Sequence, residues 1–248
     1  MMMVSRFRVV AALAMGLGAI AAPNLAHADG VLRTVIVIDA SSSMRATDPK
    51  ELRKVAAELF VDLTRDGDQL AVVGFDGAPR NAMPALVTIR GPADRDAVKH
   101  AIRAVGNDGN WTDFTAGFLG ARTILSATKP GPGDQDLVVF LTDGRCDPDP
   151  QGSIVEAAKA FGGGKSKIEE VCQEHVFTEQ VAALGKARIY AVGLSRSAPK
   201  VFLEELGRRT GGVGVATDRA DELPRLFEDI YARLFGGRLV EGPFGGAT

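Results

Sequence analysis

Five side chains stand out for the chemistry they could do together. Asp39-Ala40-Ser41-Ser42-Ser43 puts one acid and two hydroxyls on alternate residues of a short loop, where they can face the same side. Thr112, within Gly109-Asn110-Trp111-Thr112-Asp113, adds a third hydroxyl, and Asp143, within Thr142-Asp143-Gly144, adds a second acid. All five donors are hard oxygens without sulfur or imidazole among them, so they suit Mg²⁺, or Mn²⁺ or Ca²⁺, rather than zinc or copper. Two carboxylates neutralise a divalent cation at best, and Mg²⁺ keeps water in the positions that protein leaves open. An acidic group from outside can replace one of those waters.

Each piece also has a plainer use. Asp39 to Ser43 can be a turn whose side chains cap a helix. Asp143-Gly144 can be a simple turn, and Thr112 can be the N-cap of the helix that follows it. Asp113 reads as a first-turn acid favoured by the helix dipole. Asp76 follows a strand and reads as a neighbour of the same edge. Trp111, the only Trp, is either a contact residue or part of the loop's own packing. Trp111, Asp113 and Asp76 together mark a possible partner-facing rim.

Other chemistries find less support. Gly162-Gly163-Gly164-Lys165-Ser166 resembles the end of a phosphate-binding loop, but Lys159 stands where that pattern needs glycine and no strand precedes it. A flexible hinge is the better reading, and no nucleotide is expected. The serine-hydrolase elbow G-x-S-x-G is missing. A formal net charge of −2, with only Lys165 and Lys167 as a short basic run, argues against a nucleic-acid partner.

These residues need elements to hold them in place. Val31 to Ile38, Asp136 to Leu141 and Arg188 to Leu194 are apolar, β-branched runs, the pattern of strands buried on both faces of a parallel sheet. Gln69 to Phe75 is a further strand, and Ala85 to Arg90 an antiparallel neighbour at an edge. Gly214 to Thr217 is a brief last strand. Apolar spacing of three and four predicts helices over Pro49–Thr64, with Asp48 as N-cap, and over Asp94–Val105, Asp113–Ala127, Pro199–Thr210 and Ala220–Leu234. The last has the stripe Leu223, Leu226, Phe227, Ile230, Tyr231 and Leu234. Residues 145–185 form an unusually long connection, with a helix from about Ser153 and another through Leu184. Strands thus alternate with helices, which predicts one α/β domain: a doubly wound, mostly parallel central sheet with helices on both faces. Such sheets bind ligands beyond the carboxyl ends of their strands, where the five oxygen donors fall.

Residues 1–28 read as a signal peptide: Arg6 and Arg8, then apolar Val9 to Ala22, then Ala26-His27-Ala28 as the small-residue cleavage pattern. An uncleaved anchor is the alternative, but a spanning helix needs about 20 apolar residues. The expected product starts at Asp29, carries no transmembrane span after cleavage, and is exported, either periplasmic or secreted. A compartment of that kind permits disulfides, so Cys146 and Cys172, the only cysteines, are expected to pair. The alternatives are two unpaired buried thiols, or a zinc site with His175, Asp147 and Asp149. Hydrophobic residues make up 46% and charged residues 24%, which excludes general disorder. The segment 236–248 is a Gly-rich tail.

In spacing, order and strand context, Asp39-x-Ser41-x-Ser43 with Thr112 and Asp143 resembles the metal-ion-dependent adhesion site of von Willebrand factor type A domains. The resemblance covers residues 29–235, and the long 145–185 connection departs from it. It implies a Rossmann-like fold in which Ser41, Ser43 and Thr112 bind the metal by hydroxyl, and Asp39 and Asp143 bind directly or through water. It also implies a non-enzymatic protein that binds a partner's Asp or Glu through the cation. A metal-assisted hydrolase using a metal-bound water, with Asp113 or Asp76 as base, is the first alternative. An assembly or structural subunit with a vestigial site is the second.

Overall fold

The computed structural model describes residues 30–219 and 222–234. The expected signal peptide and the tail from 236 lie outside the described residues. Six strands form one sheet in the order β3-β2-β1-β4-β5-β6. They are β1 (Leu32–Asp39), β2 (Gln69–Phe75), β3 (Pro79–Thr88), β4 (Gln135–Thr142), β5 (Arg188–Gly193) and β6 (Val213–Ala216). All pairings are parallel except β2 with β3. This is the expected doubly wound architecture, with the antiparallel strand at the edge.

Alternation along β1 divides the core in two. Ile36 and Ile38 face one layer, where they meet Phe60 and Val61 of α2 (Leu52–Leu63), Val98 and Ile102 of α3 (Pro92–Ala104), and Phe227 and Ile230 of α9 (Leu223–Leu234). Val35 and Val37 face the other, with Phe114 and Phe118 of α4 (Phe114–Ser126), Cys172 of α6 (Lys165–His175) and Leu203 of α8 (Lys200–Thr210). Burying a strand on both faces removes the polar alternation, which is why these runs read as continuous apolar sequence. Of the expected stripe on α9, Phe227 and Ile230 are buried and Leu226 is half-buried; the side chains of Leu223, Tyr231 and Leu234 lie outside the description.

Several boundaries differ from expectation, each for a local reason. The helix expected from Pro49 starts at Leu52. Asp48 precedes a proline, which disfavours the helical region, and it sits at φ −132°, ψ 61°. Glu51 is the N-cap, in the left-handed region at φ 52°. Asp48 still serves the helix from outside, since Oδ1 accepts from Leu52 N (2.7 Å) and Oδ2 from Arg53 N (3.0 Å). A short helix, α1 (Met44–Thr47), precedes it. Strand β3 begins at Pro79, well before Ala85; as an edge strand paired only to β2, with register shifts, it accommodates Pro79 and Pro84. The long connection holds α5 (Ser153–Lys159), α6, a π turn over Val176–Val181 and α7 (Ala182–Leu184). Gly162 and Gly163, at φ 104° and 66°, turn the chain between α5 and α6.

Candidate metal site

Strand order reverses about β1 and β4. From β1 the chain runs outward to β2 and β3, then returns to β4 and runs the other way. The crevice at their carboxyl ends is where such sheets take ligands. Asp39 ends β1 and Asp143 follows β4, so the topology alone brings together two acids more than a hundred positions apart in the chain.

Both acids are buried. Asp39 Oδ1 accepts from Ser41 N (2.9 Å) and Oδ2 from the Thr142 hydroxyl (2.7 Å). Ser43 Oγ donates to Asp143 Oδ1 (3.0 Å) and lies 2.9 Å from Ser41 Oγ. The Thr47 hydroxyl donates to Asp143 Oδ2, and the Ser195 hydroxyl to the Asp143 carbonyl. Ser43 and Thr47 are exposed, so the cluster has buried acids at its base and opens to solvent above. Among the described residues, none of the ion pairs reaches Asp39 or Asp143, and burial followed by repulsion from Asp143 pushes the Asp39 carboxyl up to about 6. Hydroxyl and amide hydrogen bonds lower it again, but only in part.

Loop-to-loop hydrogen bonds set the rest of the edge. Gly109 N donates to Ala40 O (2.9 Å) and Ser42 N to Gly109 O (2.8 Å). Gly109 sits against Asp76, where a Cβ would come within 2.4 Å of the Asp76 Cβ, so glycine is required for this approach. Thr112 and Asp147 exchange both backbone hydrogen bonds at 2.9 Å. Asp39, Ser41, Ser43 and Asp143 thus form one chain of direct contacts, while Thr112, buried, is joined through its backbone to Asp147, four residues after Asp143.

The rim residues resolve differently. The N-cap of α4 is Asp113, not Thr112: its Oδ1 accepts from Thr115 N (2.8 Å) and Thr115 Oγ1 (2.6 Å), and burial raises its pKa. The Asp76 carboxylate pairs with Arg80. Trp111 packs over Gly77, where a Cβ would lie 2.9 Å from Trp111 Cδ1, so the loop-packing reading describes its contact. Cys146 and Cys172 form a disulfide with Cα atoms 6.3 Å apart, and that bridge removes both sulfurs from the zinc alternative. Sequence reasoning missed Thr47, Thr142 and Ser195. Thr142 directly precedes Asp143, and that adjacency was the one signal available for it; Thr47 and Ser195 carried none.

The oxygen cluster fits a divalent cation on two counts. Oxygens 2.0–2.1 Å from an octahedral Mg²⁺ stand about 2.9–3.0 Å apart along the edges, and the hydrogen-bonded pairs Ser41 Oγ–Ser43 Oγ (2.9 Å) and Ser43 Oγ–Asp143 Oδ1 (3.0 Å) already stand at that separation. Two buried acids that repel each other, with no Arg or Lys paired to either among the described residues, leave a charge for a cation to offset.

Residues 34–145 match the family model of the von Willebrand factor type A domain, a span that includes all five oxygen donors. No curated protein matches the chain in sequence. Solved structures share its fold. A von Willebrand factor type A protein from Catenulispora acidiphila is 19% identical, with a TM-score of 0.63 over 84% of this chain and 43% of that one. Proximal thread matrix protein 1 from the mussel byssus, solved with a zinc occupied MIDAS motif, is 18% identical, with a TM-score of 0.58 over 82% of this chain and 48% of that one. The vWF domain of the type V pili tip protein Mfa5 from Porphyromonas gingivalis is 14% identical, with a TM-score of 0.56 over 84% of this chain and 96% of that one. The chain spans less than half the length of the first two. The architecture is that of the von Willebrand factor type A fold.

Proposed function

We propose that this chain holds one divalent cation at Asp39, Ser41, Ser43, Thr112 and Asp143 and binds an Asp or Glu carboxylate of a partner protein through it. The observation that carries this reading is the pair of buried carboxylates at the switch point, bonded by hydroxyls and paired with no Arg or Lys among the described residues. When bound, the cation supplies a positive centre with positions free for an outside oxygen. Asp39 and Asp143 would balance its charge, and Ser41, Ser43 and Thr112 would add neutral donors, leaving coordination to be completed by an outside oxygen. An all-oxygen donor set favours Mg²⁺, Mn²⁺ or Ca²⁺.

The reading is non-enzymatic. The two acids available as a general base are both engaged, Asp113 as the cap of α4 and Asp76 by Arg80. We read the protein as exported, periplasmic or secreted, on the strength of residues 1–28. Among the described residues no helix is long and apolar enough to cross a membrane.

Calorimetric titration of Mn²⁺ and Mg²⁺ into the full chain, beside Ser41→Ala/Ser43→Ala, tests the site. One-site binding lost in the double variant is expected; equal binding in both, or none in the wild type, overturns it. Acetate added to the Mn²⁺-loaded chain should lower the water proton relaxation rate by displacing a bound water. An unchanged rate would count against the carboxylate half of the proposal.

A further inference from the structure

The Cys146–Cys172 bridge lies beneath the metal edge. Cys146 comes three residues after Asp143 and directly before Asp147. Asp147 exchanges two backbone hydrogen bonds with Thr112. The N–H of Phe114, the first residue of α4, donates to Cys146 Sγ at 3.4 Å. A single cysteine therefore connects the Asp143 loop, the Thr112 loop and the start of α4. Its partner Cys172 is wholly buried on α6, in the same apolar layer as Phe114, Phe118 and Phe140. Residues 143 to 152 form neither strand nor helix beyond the isolated pairing of Asp147. A stretch of that kind has little besides local bonds to fix it, and local opening of such segments costs little free energy.

Resting on the cation-binding reading above, we propose that the disulfide is a positioning element of that site. It pins the connection after β4 to α6, so that Asp143 and Thr112 keep a common position facing Asp39, Ser41 and Ser43. A bridge placed only to stabilise the fold could join any two elements. This one joins the layer under the sheet to the segment between two donors. The bridge touches no cation itself, so its effect reaches the site only through Asp147 and the Asp143 loop.

The test compares three full-length proteins: wild type, Cys146→Ala/Cys172→Ala, and Asp147→Pro. The last keeps the bridge but removes the N–H that donates to Thr112. Mn²⁺ affinity is read by calorimetry, and amide hydrogen exchange is followed at Thr112 and Asp147, with Ile36 and Val139 in the central strands as the reference. The double variant should bind Mn²⁺ about tenfold or more weakly, and protection at Thr112 and Asp147 should fall about tenfold while Ile36 and Val139 keep theirs. Asp147→Pro should show a smaller loss of affinity in the same direction. Unchanged affinity and protection in the double variant overturn the proposal. Protection lost equally at Ile36 and Val139 also overturns it, because the bridge would then hold the whole fold. If the wild type binds no Mn²⁺, the cation reading fails, and the exchange at Thr112 and Asp147 alone decides whether the bridge positions this edge.

Discussion

The two ends of the central strands treat buried charge in opposite ways. At the amino end, Arg33 of β1 is buried and faces Asp136 of β4 at 3.3 Å, and it donates to the carbonyls of Leu125 (2.6 Å) and Thr128 (2.9 Å). Asp68, fully buried, accepts from Leu32 N and pairs with Arg65. Asp134 takes the N–H groups of Val31 and Gly131. At the carboxyl end, among the described residues, Asp39 and Asp143 are hydrogen-bonded by hydroxyls and backbone. At the amino end arginines stand beside Asp68 and Asp136, although burial outweighs Arg33 and still raises the Asp136 carboxyl; among the described residues none pairs with Asp39 or Asp143. Burying a charge without an opposite one is costly, and that cost at Asp39 and Asp143 is what the proposed cation would offset.

Substitution should separate the two ends. Asp39→Ala should lower Mn²⁺ affinity on the order of a hundredfold or more, with the fold intact by circular dichroism; retained affinity would end the contrast. Asp136→Ala should do the reverse. It strands Arg33 in the core and should cost about 2 kcal/mol in denaturant unfolding, below the range for a fully buried pair because Asp136 is partly exposed. Mn²⁺ affinity should stay unchanged there.

Of these two ends, only the carboxyl one was legible in the sequence. The doubly buried strands showed as β-branched runs, and the alternate acid and hydroxyls after β1 pointed to hard-cation chemistry. What stayed hidden depends on contacts distant in sequence. Nothing near Arg33 announces that Leu125 and Thr128 will receive it. Thr47 joins the Asp143 carboxylate only because a one-turn helix, too short for any periodicity, carries it there. Asp48 caps α2 from beyond its N-cap, across the left-handed Glu51, so the usual spacing rule put the helix start too early. The N-cap went to Asp113 over Thr112 because Thr112 is drawn into the extended pairing with Asp147.

Acidity sharpens the comparison. The Asp39 carboxyl titrates near 6, above its ordinary 3.8. In the cation-free fold this group's contribution to stability is therefore fully present below about 3.8 and lost as pH rises through about 6. Cation binding runs the opposite way, because protons compete for Asp39. Mn²⁺ affinity should fall about tenfold between pH 7 and pH 5, measured by calorimetry in matched buffers. A flat profile would mean that Asp39 carries no unmet charge.

The smallest effect concerns an acid at the open end that is already employed. Asp113→Ala should cost about 1 kcal/mol of stability through the lost cap and leave Mn²⁺ affinity within about twofold. A large loss of affinity would move Asp113 from the helix to the site.

The position of β1 has a mechanical consequence. It is central, flanked along its length by β2 and β4, and the chain enters it at the end opposite Asp39. A pull applied at Asp39 and resisted at the Leu32 end of β1 would run along the strand axis. The bonds to both neighbours, running across that axis, would be loaded together in shear instead of one at a time. Tension at the carboxyl edge would thus meet the fold in its stiffest direction.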